Sequence, residues 1–137
     1  MAVGAISLED IRSADWSLKL DAIGEVVEGI DDVKQCLGII ATTPQGTDPL
    51  RPTFGSNIWR YLDHPIDRAL PAIVSELTTA IARWEPRVTL VSVTAQPIND
   101  GAGQSGAHID VTLNWQLRLG NASAPLQSTT ITVVGAA

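Results

Sequence analysis

The sequence predicts an α+β fold in two layers, with helices packed on one face of a small antiparallel β-sheet. Three observations carry this. Ile66, Leu70, Ile73, Leu77, Ile81 and Trp84 recur at steps of three and four, the spacing of one helical face. Ile109, Val111, Leu113, Trp115, Leu117 and Leu119 alternate strictly with Asp110, Thr112, Asn114, Gln116 and Arg118, the pattern of a strand with one buried and one wet face. Between these segments the period changes abruptly at Glu85-Pro86-Arg87.

The elements follow in chain order. Trp16, Leu18 and Leu20 share one side of a short candidate strand, and Glu25-Val26-Val27-Glu28 is a second. Asp31 or Asp32 reads as the N-cap of a helix, because a carboxylate there accepts the free N–H groups of the first turn. Val33, Cys36, Leu37 and Ile40 give that helix its apolar face. It should end near Ala41, before Pro44 and Gly46.

TTPQGTDPLRPTFGSN, residues 42–57, holds too much proline and glycine for regular structure. Leu50, Arg51 and Phe54 are not linker residues, so an ordered loop is expected. It either carries function or caps the core with Leu50 and Phe54. Asn57 to Leu62 suggests a short helical turn. Pro65 suits the first position of the main helix, where an N–H would have no partner. Pro71 lies inside that helix and should kink it near residues 67–71.

VTLVSVTAQ, residues 88–96, reads as a central strand and 97–107 as a hairpin loop. Residues 108–119 form the alternating strand, 120–125 a turn, and LQSTTITVV, residues 126–134, a third strand. The C-terminal half is therefore expected to be a three-stranded meander. Its last strand carries no charged side chain, and an uncharged sheet edge is a template for another chain's strand. An interior position, or cover from the N-terminal segment, would explain the same composition. Residues 1–23 are expected as a separate N-terminal segment and 24–137 as a single domain.

Composition narrows the functional classes. Of 137 residues, 45% are hydrophobic and 18% charged, enough for a core and too apolar for wholesale disorder. A net charge of −6 argues against a general nucleic-acid binder and against an anionic-membrane binder. Cys36 stands alone and reads as a small buried apolar residue. No basic stretch followed by a long apolar run opens MAVGAISLED, so assembly in the cytoplasm is expected.

The search for chemistry finds no site. His64 and His108 are far apart in sequence and Cys36 belongs to a helix, so no metal or cofactor is expected. GAGQSG, residues 101–106, lies between strands, where no phosphate-binding loop sits. Asp63, Asp67, Glu76 and Glu85 are candidate glycosidase carboxylates by residue type alone. Arg87 beside Glu85 would favour the ionised form, the wrong bias for a general acid. No catalytic residue and no small-molecule substrate are assigned.

Two charged stretches remain, residues 46–67 and 83–88. Thr42, Thr43, Gly46, Pro49, Arg51, Pro52, Phe54 and Gly55, then a main helix, then Glu85, Pro86 and Arg87, together resemble the gene-25-like baseplate wedge family of contractile phage tails and type VI secretion systems. Some members carry a lysozyme-like label. The resemblance spans roughly residues 24–134. It implies a structural subunit that joins wedge proteins, through their core-bundle helices, to the first sheath ring. It also implies that the sheet seeds the sheath by strand pairing. The implied partner-binding residues are Glu85, Pro86, Arg87, Arg51, Pro52, Phe54 and Gly55. A small peptidoglycan-cleaving enzyme is the alternative, with a cytosolic binding module behind it. On the residues alone, Glu85 and Arg87 either project from the junction toward a partner or pair with each other.

Overall fold

The structure is a computed structural model, and it describes residues 15–98, 108–119 and 122–134. In order the elements are β1 (Trp16–Leu18), β2 (Val26–Glu28), α1 (Gly29–Thr42), a 3-10 turn (Ile58–Tyr61), α2 (Ile66–Trp84), β3 (Val88–Pro97), β4 (His108–Leu119), β5 (Ala122–Ser123) and β6 (Gln127–Val134). The fold is α+β, as expected. The chain divides into two compact units, residues 1–37 and 38–137.

In the first unit β1 and β2 pair antiparallel, Trp16 opposite Glu28 and Leu18 opposite Val26. The strand stops at Leu18, before Leu20, and Trp16 and Leu18 stay exposed. Gly29, at φ 60°, turns the chain directly from β2 into α1, and its N–H reaches the Asp15 carbonyl. The helix thus starts ahead of Asp31 and Asp32, which sit in its first turn. Asp32 is buried and accepts a hydrogen bond from the Ser17 hydroxyl. Gln35 donates to Ser17 Oγ and the Leu18 carbonyl, and accepts from the Leu20 N–H. A polar network therefore ties the hairpin to the first half of α1.

In the second unit α1 closes at Thr42, where Thr42 and Thr43 donate their hydroxyls back to the Gly38 and Ile39 carbonyls. Pro65 lies just outside α2, and its carbonyl accepts from both Arg68 and Ala69. The helix runs on through Pro71, which has no N–H for the Asp67 carbonyl. Ala69, Ile73, Leu77, Ala80 and Ile81 are its buried face. Ile66, the first residue of the expected stripe, is exposed.

β4 is the central strand, paired to β3 on one side and β6 on the other, with β5 a short extension. This corrects the expectation for residues 88–96. Their apolar residues suggested a central position, but among the described residues β3 is an edge, and α2 packs against it. One face of β4 is buried through Ile109, Val111, Leu113 and Trp115. The other carries a ladder of short polar side chains. Asn114 donates to Ser92, Thr132 donates to Asp110, and Thr112 meets Thr130 at 3.3 Å. Such cross-strand pairs fix the register.

Trp115 is fully buried, and its indole N–H donates to Thr129 Oγ1 at 3.0 Å. Thr129→Val keeps the shape and removes the acceptor. The expected cost is about 1–3 kcal/mol in chemical denaturation. Thr129→Ser should recover most of it, and an unchanged midpoint for the valine variant would refute the hydrogen bond's role.

Candidate functional site

Residues 42–57 form an ordered loop held by backbone. Ser56 N–H donates to the Thr43 carbonyl at 2.9 Å and Gly46 N–H to the Pro52 carbonyl at 2.8 Å. Pro44 and Ser56 make a parallel bridge, and the buried Ser56 hydroxyl donates to the Ala41 carbonyl. Gly55 lies at φ +103°, and a Cβ there would stand 2.1 Å from the Thr43 carbonyl oxygen. No other residue fits this crossing without moving backbone. Ser56 had no signal in the sequence, since a lone serine in a polar loop reads as solvated.

The loop's Phe54 is buried and meets Trp84 edge to face, ring centroids 5.2 Å apart. The Arg51 guanidinium lies over the Phe54 ring, 4.2 Å from its centroid, and its Nε pairs with Asp48 at 3.3 Å. Asp48 also accepts from the Leu50 and Arg51 N–H groups, fixing the turn that presents Arg51. Leu50, expected to help cap the core, is 91% exposed. Pro52 is exposed too.

Trp84 is the last residue of α2, so the Phe54 contact joins the loop to the helix end. Arg83 stacks on its ring at 5.2 Å. Its buried Nε1 has no hydrogen-bond partner among the described residues. Glu85 follows with φ −125° and ψ 81°, the extended shape imposed on a residue before proline. Val88 N–H reaches back to the Glu85 carbonyl at 3.3 Å, so residues 85–88 make one turn with Pro86 in the position its ring favours.

That turn brings Glu85 and Arg87 onto the same side. Arg87 Nε donates to Glu85 Oε1 at 2.7 Å and a terminal nitrogen donates to Oε2 at 2.9 Å. This is a two-point guanidinium–carboxylate pair. Glu85 is 4% exposed while the Arg87 side chain keeps 30% of its surface. Of the two arrangements open from the sequence, the chain adopts the internal pair. Both carboxylate oxygens accept from the Arg87 fork. Pro86 stays exposed.

The seven residues singled out by the sequence therefore split. Arg51, Pro52, Pro86 and part of Arg87 present surface. Phe54, Gly55 and Glu85 are buried and hold that surface in place. Trp84 joins the two stretches, a role hidden in the sequence because it also completes the apolar stripe of the helix.

Two grooves border the sheet. One, of about 210 Å³, is lined by Pro44, Ile58, the half-exposed Trp59 and Leu62, and reaches Thr132 and Val133 of β6. The other, of about 300 Å³, runs from Ile81 and Ala82 past Pro86 to Val88, Leu90 and Arg118. Among the described residues no cluster of His, Cys, Asp and Glu could hold a metal ion, and no helix is long and apolar enough to cross a membrane.

Comparison with known proteins gives a consistent set of relatives. The family described as baseplate wedge protein gp25 matches residues 27–122. Baseplate protein W of Escherichia phage P2 is 35% identical over 79 residues, which cover 57% of this chain and 69% of the relative. A baseplate chain of post-contracted pyocin R2 superposes with a TM-score of 0.59 at 28% identity, covering 75% of this chain and 98% of that one. A crystal structure from Geobacter sulfurreducens, described as a putative tail lysozyme, superposes with a TM-score of 0.65 at 26% identity, covering 78% and 91%.

Proposed function

This chain belongs to the baseplate wedge protein gp25 family, a component of the baseplate in contractile phage tails or related injection systems, and on that premise we propose that it joins the wedge to the first sheath ring and seeds the sheath by strand pairing. The observation that carries the second half is the state of the two sheet edges. Ile98 N–H donates to the His108 carbonyl and Arg118 N–H to the Arg87 carbonyl, so even-numbered residues of β4 bond toward β3. Odd-numbered ones then bond toward β6, at Ile109–Val133, Val111–Ile131 and Leu113–Thr129. The backbone groups of Ser128, Thr130 and Thr132 consequently face away from β4, at a regular two-residue repeat with no charge among them.

The β3 edge differs. Its register shifts between Leu90 and Ser92, which leaves Val91 unpaired and 56% exposed. A bulge breaks the repeat an added strand needs and is one way of blunting an edge. β6 is accordingly the edge for a sheath strand, with the Trp59 groove beside it to accept an apolar side chain.

The wedge contact falls to the surface held by the loop and the helix end: Arg51, Pro52, Pro86 and Arg87 as the contacting members, with Phe54, Gly55 and Glu85 behind them. A structural role in the virion tail, after assembly in the host cytoplasm, fits a chain whose conspicuous carboxylate is bound within its own fold.

Thr130→Pro tests the edge. It removes an outward N–H and leaves every backbone bond to β4 in place, at the loss of the Thr130–Thr112 hydroxyl contact. The variant should fold, yet fail to support sheath polymerisation when supplied with baseplate and sheath proteins. Thr132→Lys should act in the same direction. Normal sheath growth from both folded variants would overturn the strand-pairing reading.

A further inference from the structure

The geometry points to Arg118, with the groove beside Pro86, as the charge-selective part of the wedge contact, taking an apolar partner side chain flanked by an aspartate or glutamate. This rests on the wedge reading above and names which chemistry the partner must bring. Three observations support it.

First, Glu85 is spent. Its two oxygens are held by Arg87, so the carboxylate at the helix–strand junction has nothing left for a partner's cation. Second, Arg118 is exposed and its guanidinium makes no ion pair among the described residues. It stands opposite Arg87 across the β3–β4 ladder, with its N–H on the Arg87 carbonyl at 2.8 Å. Two like charges facing each other across strands repel, and Glu85 compensates one of them. This end of the sheet thus carries two guanidinium groups beside one internal carboxylate, on a chain whose net charge is −6. A local positive excess on an acidic protein selects an acidic partner segment and repels a basic one.

Third, the positive spot opens onto an apolar groove. Ile81, Ala82, Pro86, Val88 and Leu90 line it beside Arg118, and its volume of about 300 Å³ accepts a large side chain. The β3 bulge prevents a regular added strand here, so recognition goes through side chains. An apolar anchor in a groove with one charge at its rim is the usual form of a specific, moderately strong contact.

The test uses the full chain co-expressed with baseplate wedge proteins, and measures their retention and its salt dependence. Arg118→Glu should weaken retention roughly tenfold or more, while Arg118→Lys stays close to wild type. Ala82→Trp, which fills the groove from an exposed helix position, should weaken it equally and leave the melting temperature unchanged. Arg118→Glu faces Arg87 with an opposite charge, so it should fold at least as well as wild type. Equal retention by wild type, Arg118→Glu and Ala82→Trp would overturn this proposal and leave the wedge reading intact. Failure of the wild-type chain to retain wedge proteins would overturn the wedge reading and this inference with it.

Discussion

Arg87→Ala is expected to destabilise the fold by about 3 kcal/mol, which lowers the melting temperature by roughly 10 °C for a chain of this size. The reason is the asymmetry of the pair. Glu85 is 4% exposed and both its oxygens are bound by the Arg87 fork. Removing the guanidinium leaves a buried charge without its partner, whereas Arg87 retains surface and would tolerate losing Glu85 more easily. Glu85→Gln should therefore cost only about 1 kcal/mol. Arg87→Lys should fall between, because an ammonium keeps the charge and loses the two-point geometry. Chemical denaturation of the three variants and the Glu85→Gln, Arg87→Met double variant gives the coupling directly. A melting temperature for Arg87→Ala within a degree of wild type would show that the pair does not hold the junction. The result also governs how partner-binding assays are read. Loss of binding in Arg87→Ala reports on the fold unless stability is measured beside it.

Gly55→Ala should be at least as damaging, at about 3–5 kcal/mol. Two costs combine. A side chain at φ +103° costs about 1–2 kcal/mol in backbone strain. The new Cβ would also stand 2.1 Å from the Thr43 carbonyl oxygen, so that carbonyl must move. Moving it sacrifices the bond from Ser56 N–H and the parallel bridge that closes the loop. Gly46→Ala is the control. It has φ +90° with nothing within 4 Å of the added atom, so it should show the strain term alone. A clear gap between the two midpoints supports the packing argument, and equal effects would refute it. Because Phe54 sits one residue before Gly55, the loss should also appear as altered tryptophan fluorescence from Trp84.

The elements legible in the sequence were those fixed by periodicity over many residues. The stripe from Ile66 to Trp84 gave α2 to within a residue at either end, and the alternation from His108 to Leu119 gave β4. The shorter segments were less well specified. Asp31 and Asp32 looked like caps because carboxylates favour helix starts. The glycine at 29 began the helix earlier by supplying a positive φ. β3 looked central because its residues are apolar, but α2 covers it from one side, and an edge strand under a helix needs apolar residues just as a central one does.

The sequence by itself determined the α+β class, the three long strands of the C-terminal sheet, the break at Pro86 and the family of the chain. These depend on local propensity and on the order of short motifs, which a linear string records. Tertiary structure alone decided that Glu85 closes on Arg87, that Phe54 meets Trp84, that β6 is the unbroken sheet edge among the described residues, and that Arg118 arrives beside Pro86. Each of these depends on a direction or a register, and a carboxylate beside an arginine is written identically whether it turns inward or outward. Burial makes that choice here: once Trp84 packs on Phe54 and the chain turns at Pro86, Glu85 lies under the surface, and the only low-energy place for its charge is the guanidinium two residues on.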